Sequence, residues 1–252
     1  MDTIYDGVLD TLTRFGPYAD WQYIGDGVTL KPKLTEDTVK YDDVPIGKSI
    51  WGVGNEQVMN YIDGASPCKN SLDIGGGDGR YKKLVEKTEH HVVTDIDERA
   101  LAKYILDTAH EFPEHLSKLE TLKHDITTNF PVKDGSFDRI FSAGILHLFP
   151  KEKLKPVADE IYRMLETGGE FVLDFPTNIV RTQPDGELLY YADEPRYTLE
   201  GAKEDLSKIF SKDKYSIEIF VSHHSDPKGT FRESEHPYNL ECDYLLLRAK
   251  KL

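Results

Sequence analysis

The sequence predicts an α/β fold built on a mostly parallel sheet. Short apolar runs alternate with helical patterns from residue 70 to about 175. The first run, Ser71-Leu72-Asp73-Ile74, leads into glycines at alternate positions, Gly75, Gly77 and Gly79. A second run, Val92-Val93-Thr94, ends in a carboxylate, Asp95. Strands that alternate with helices require crossover connections and hence parallel pairing. A strand, a glycine turn and a helix bring bare backbone close to a ligand, as in the front edge of a nucleotide site.

Each element follows from pattern and punctuation. Ile4, Val8, Leu12 and Phe15 have helical spacing, and a second helix is expected from Asn55 to Tyr61, closed by Asp63-Gly64. The loop-rich, aromatic arm between them makes residues 1–67 a cap or lid, or else a cover for a sheet edge. Strand 71–74 then leads to helix 79–87, and strand 91–94 to helix 97–110 with Asp97 as its N-cap. Strands 119–123 and 137–142, helix 151–165 and strand 169–175 follow, with Thr167-Gly168-Gly169 expected to end the helix. Residues 176–197 lack periodicity. Thr198 caps a helix to Phe210, Ile217, Ile219 and Val221 alternate as a strand, and Glu241 to Ala249 forms the last strand after a polar loop.

Composition narrows the function. With 252 residues and 38% hydrophobic content, a full core needs no staples. Cys68 and Cys242 are too few for a disulfide framework or a thiolate metal site; they read as packing residues of a reducing cytosol, and a cytoplasmic protein is expected. Met1 to Asp6 has neither a basic start nor an apolar core, so no signal peptide is expected. No apolar stretch reaches the span of a membrane helix. A formal charge of −14 and the lack of a basic stripe disfavour a nucleic-acid partner.

The glycine spacing separates ligand classes. A dinucleotide fingerprint is G-x-G-x-x-G, whereas here the third glycine comes one place early and Arg80 takes the sixth position. Asp73, beside the turn, repels pyrophosphate but suits a ligand bearing an ammonium and a sulfonium. Leu72 to Gly79 resembles the first motif of the class I S-adenosylmethionine-dependent methyltransferases, and four more segments are similar to that family in order and spacing. They are Thr94 to Asp97, His124 to Ile126, Phe137 to His147, and Met164 to Gly169, where Thr167 stands in place of a common proline.

The resemblance implies a doubly wound, seven-stranded Rossmann-like sheet with helices on both faces over residues 68–252. It implies S-adenosyl-L-methionine as donor, with Asp73, Gly75, Gly77, Gly79, Asp95, Ile96, Asp125, Ile126 and Ser142 at the donor site. Asp95 would bind the ribose hydroxyls, Asp125 the adenine amino group, and Ile96 and Ile126 would wall the ring. Other readings stand beside these: Asp125 as a surface turn residue, and the two isoleucines as ordinary core.

Methyl transfer from a sulfonium requires alignment and dryness more than a fixed catalytic group. His147, just past strand four, is the candidate base; the alternative is packing beneath the donor. Asp174, Tyr41 and Trp51 are the candidate acceptor and lid residues, and segments 176–197 and 223–239 the acceptor-side insertions. A small-molecule acceptor is expected. RNA or protein acceptors, or a donor-binding regulator without transfer, are the alternatives. The run Ser142-Ala143-Gly144-Ile145 lacks the proline-rich pattern of amino-methylating nucleic-acid enzymes. His223, His224 and His236 raise a two-histidine metal site, but no carboxylate at ligand spacing supports it, and no metal is expected.

Overall fold

A computed structural model describes residues 41, 44–52, 54–182, 188, 195–226 and 239–252, with the backbone of residues 14–15, 22–23 and 30–31. Most of the expected cap, the insertion residues 183–187, 189–194 and 227–238, and His236 lie outside the described residues.

Seven strands form one sheet: β1 (Cys68–Ile74), β2 (Thr88–Asp95), β3 (Leu119–Lys123), β4 (Phe137–Ala143), β5 (Leu165–Thr182), β6 (Tyr215–Asp226) and β7 (Asn239–Lys251). Their order is β3-β2-β1-β4-β5-β7-β6, and a two-residue strand, Arg14–Phe15, adds to the β3 edge. Strands β1 to β5 pair in parallel, whereas β7 runs antiparallel to both β5 and β6. The order reverses between β1 and β4, and a crevice opens at such a point outside the carboxyl ends of the strands.

Helices cover both faces. α1 (Glu56–Gly64) and the 3₁₀ segment Lys82–Lys87 pack with Phe141, Val172 and Leu246, and α2 (Glu98–Glu111) packs with Val93. On the opposite face, α3 (Lys151–Met164) and α4 (Leu199–Ile209) close over Leu72, Ile140, Phe171, Leu173 and Leu247. Burial on both faces explains why Ser71, Leu72, Asp73 and Ile74 are all buried and why β1 lacks alternation. The expected caps hold. Asp97 accepts from the Arg99 amide at 3.0 Å, and Thr198 Oγ1 from the Gly201 amide at 3.2 Å.

Three expectations are corrected. The helix at 79–87 is a 3₁₀ segment, Lys82–Lys87. Gly79, Arg80 and Tyr81 belong to the turn and Thr88 already starts β2, so only six residues remain, enough for a tight turn but not a capped α-helix. Thr167-Gly168-Gly169 does not end α3. The helix stops at Met164, Leu165 pairs with Phe137, and the glycines form an irregularity inside β5 where the register moves on to Arg139–Glu170. The helix predicted through Phe15 fails at its end: Arg14 and Phe15 pair with Leu122 and Thr121. An edge strand has unpaired backbone groups to satisfy, and that outweighs local helical spacing.

Candidate functional site

The glycine turn leaves β1 at the sheet's carboxyl edge. Gly75, Gly77 and Gly79 all have positive φ, +69°, +57° and +89°, which explains glycine at alternate positions. A side chain at Gly75 would also meet Ile145 at 2.8 Å. The turn is held from β2. The Gly77 amide donates to Asp95 Oδ2 at 2.9 Å, and the Asp97 amide donates to Asp95 Oδ1 at 2.9 Å. One carboxylate thus binds the glycine turn and the entrance to α2 together. Burial pushes the Asp95 carboxyl up, and these amide hydrogen bonds oppose the shift. Asp73, one strand away and 2% exposed, is pushed up to about 8 by burial and by Asp95, with Arg80 opposing.

A strap, residues 44–52, crosses above the turn. At one end, two buried lysines reach its carbonyls: Lys103 Nζ to Pro45 O and Lys82 Nζ to Gly47 O, each at 3.4 Å, with Lys103 neutralised by Asp107 at 2.7 Å. Further along, Ser49 Oγ and the Ile50 amide both donate to Asp78, each at 2.6 Å, and Arg80 Nη1 donates to Trp51 O at 3.3 Å. The Trp51 indole comes to rest 3.5 Å from where a Cβ on Gly77 would stand. Before the strap, the buried Tyr41 ring faces the Arg99 guanidinium at 5.5 Å, beside Asp97 and Asp95. Tyr41 and Trp51 therefore both lie beside the glycine turn and the end of β2.

Beyond the strap the chain reaches Asp174, at the same edge on β5. Its Oδ1 accepts from Asn55 Nδ2 at 3.0 Å, while Oδ2 is buried with no hydrogen-bond partner among the described residues. Burial pushes this carboxyl up to about 7, against the pull of Arg80 and Asn55. Asn55 also caps α1, and its backbone amide donates to the Tyr81 hydroxyl at 3.0 Å. Tyr81 and Tyr244 share this surrounding; both hydroxyls are pushed up chiefly by burial.

The remaining predicted residues fall in several places. Ile96 is 65% exposed at the mouth, available to a flat ring, and Ile126 is half-buried against the main core. Asp125 is on the surface, where its Oδ1 accepts from the Thr127 amide and hydroxyl at 2.9 and 2.8 Å, the turn alternative. Ser142 is buried at the end of β4, its Oγ lacking a hydrogen-bond partner among the described residues. His147 is buried in the short 3₁₀ segment Leu146–Leu148, with its ring edge-on to Phe175 at 6.2 Å. That is the packing alternative: Phe175 belongs to the α3–α4 core, and Asp174, its neighbour along the strand, points to the other face. His223 and His224 are consecutive on β6 and so point to opposite faces; His223 pairs with Asp243 at 3.0 Å and His224 meets Tyr244. They cannot share one ion.

Sequence reasoning missed Asp78, Arg80 and Asn55. The first two were visible as charged residues inside a glycine turn, an odd place for a solvated face. Asn55 gave only a helix-start signal.

The site fits an adenosyl donor on three observations. The turn presents backbone that side chains would block. Asp95 stands at the β2 end with both oxygens already accepting hydrogen bonds. Ser142 Oγ and Asp174 Oδ2 are buried with no hydrogen-bond partner among the described residues.

Residues 72–169 match a family model described as a methyltransferase domain. No curated protein matches the chain. Solved structures share the fold. YcgJ from Bacillus subtilis is 12% identical with a TM-score of 0.57, covering 77% of this chain and 97% of its own. A SAM-dependent methyltransferase from Methanosarcina mazei is 17% identical with a TM-score of 0.54, covering 79% and 99%. The N-methyltransferase NodS from Bradyrhizobium japonicum, solved with S-adenosyl-L-homocysteine, is 16% identical with a TM-score of 0.51, covering 77% and 84%. The matched segment, the motif order and the turn at the sheet's carboxyl edge coincide, so residues 72–169 form a methyltransferase domain within a Rossmann-like sheet.

Proposed function

We propose that this methyltransferase acts on a small molecule, held between the strap and the ends of β4 and β5. The observation that carries the reading is Asp174: a carboxyl 1% exposed, with one oxygen lacking a hydrogen-bond partner among the described residues, at the same strand edge as the glycine turn. A buried acceptor without a partner costs about 1–3 kcal/mol, and such a group calls for an explanation. An acceptor molecule carrying an N–H or O–H supplies the missing donor.

S-adenosylmethionine supplies a methyl group already activated on a sulfonium, for in-line displacement by the acceptor. The chain's own residues then bind, orient and exclude water. Asp95 takes the ribose hydroxyls and keeps Gly77 in place. Asp73 faces the donor's positive charge, which favours loss of the proton that burial holds on it. Ile96 and Ile126 wall the adenine, with Asp125 at its outer edge. Ser142 gives the donor a hydroxyl at the floor of β4. Trp51 and Tyr41 roof the site and exclude water. Asp174 orients the acceptor and accepts its proton. His147 supports the floor by packing on Phe175. A cytoplasmic setting accompanies this reading, consistent with free thiols at Cys68 and Cys242. Among the described residues no helix is long and apolar enough to cross a membrane.

The test is a differential scanning measurement with S-adenosyl-L-homocysteine, then a homocysteine-product assay with metabolite, RNA and protein fractions as acceptors. The reading expects a thermal shift with the product and turnover with the metabolite fraction. Turnover confined to RNA or protein would reassign the acceptor, and binding without turnover in any fraction would favour a regulatory role.

A further inference from the structure

The glycine motif contains a residue that the donor chemistry does not explain. Asp78 lies between Gly77 and Gly79 and is fully buried. A carboxylate in the interior needs partners. Its partners are neither a cation nor a water-filled mouth but the strap: Ser49 Oγ on Oδ1 and the Ile50 amide on Oδ2, both at 2.6 Å. Such short bonds to a carboxylate belong to the strong, charge-assisted class. Ser49 Oγ also accepts from the Trp51 amide at 3.1 Å, so the chain from Asp78 leads straight to the indole. Arg80, two residues on, grips the Trp51 carbonyl from the same turn. The indole is thereby fixed against Gly77, the residue whose amide Asp95 holds.

We infer that Asp78 is a positioning residue for the donor: it latches Ser49 and Ile50 onto the glycine turn and so holds Trp51 over the donor's place. It acts without touching the donor. A site held by a fixed supporting shell binds better than one whose roof must be ordered at each encounter. The inference rests on the donor assignment, and the experiment separates the two.

Trp21→Phe leaves Trp51 as the only tryptophan, since the chain has 2. In that parent, Asp78→Ala and Ser49→Ala are compared by amide exchange, Trp51 fluorescence and calorimetry with S-adenosyl-L-homocysteine. The expected result for Asp78→Ala is Ile50 amide exchange at least tenfold faster, Trp51 emission shifted to that of a water-exposed indole, and Kd raised at least tenfold. Ser49→Ala keeps the Ile50 bond and should fall between parent and Asp78→Ala. It also carries the test if Asp78→Ala fails to fold. Unchanged Ile50 exchange would overturn the latch. Faster exchange with Kd within twofold of the parent would keep the latch but overturn its service to the donor. A parent that shows the protected Ile50 amide yet binds no S-adenosyl-L-homocysteine would overturn the donor assignment and, with it, the positioning role.

Discussion

The Gly77 amide donates to Asp95 Oδ2 at 2.9 Å, joining the turn after β1 to the end of β2. The carboxylate is therefore the tether of the turn, and in the proposed site it is the ribose ligand as well. Asp95→Ala removes both functions. Hydrogen bonds to charged groups contribute about 1.5–3 kcal/mol each, so affinity for S-adenosyl-L-homocysteine should fall at least 100-fold by calorimetry. Asp95→Asn keeps one acceptor oxygen and should lose less. Full affinity in Asp95→Ala would remove Asp95 from the site.

Gly77→Ala tests the turn itself. The residue has φ +57°, where an L side chain costs about 1–2 kcal/mol, and its Cβ would touch the Trp51 indole. The expected outcome is a small drop in Tm with a disproportionate loss of donor affinity. A variant that loses stability but binds the product normally would show that the turn's conformation is not used.

Asp174→Asn separates the two halves of the site. Asparagine preserves the contact with Asn55 only in part, and it cannot accept a proton. Product affinity should stay within threefold of wild type while methyl transfer falls by two orders of magnitude or more, a loss of about 3 kcal/mol in the transition state. Equal loss of both would place Asp174 at the donor.

Stability should depend on pH in a defined direction. Asp73 and Asp174 are pushed up to about 8 and about 7, above their unfolded values, so the folded state holds more protons than the unfolded chain between those limits. Their contribution is complete at low pH and is lost as pH rises through about 7 to 8. His91 acts the other way. Buried between Ser71 and Tyr104, it is held down to about 3, so the unfolded chain alone gains its proton below about 6.5. From pH 6.5 to 8 His91 opposes by only about 0.4 kcal/mol, and stability should fall by about 2 kcal/mol. Chemical denaturation of the ligand-free protein at several pH values would show it, and Asp73→Asn should flatten the slope. A rise in stability across that window would mean that both carboxyls are ionised in the folded state.

Much of the fold was legible. The apolar strands that lead into glycine, the N-caps at Asp97 and Thr198 and the order of the motifs are local signals, and local signals survive burial. What failed did so for non-local reasons. Phe15 continues the helical spacing of Ile4, Val8 and Leu12, but with Arg14 it serves an open sheet edge. Gly168 and Gly169 look like a helix stop but lie inside a strand, because the partner strand sets the register.

The sequence by itself determined the mostly parallel sheet and the glycine turn, since glycine spacing constrains the backbone directly; Asp95 and the donor came from the resemblance of the motifs and stay with the proposal. Only the tertiary structure decided that Asp78 and Arg80 hold the strap, that Asp174 has a buried oxygen to offer, and that His147 packs on Phe175. Those relations join residues 28 to 119 positions apart in the chain. Burial, which gives each of them its energetic weight, is a property of the folded whole.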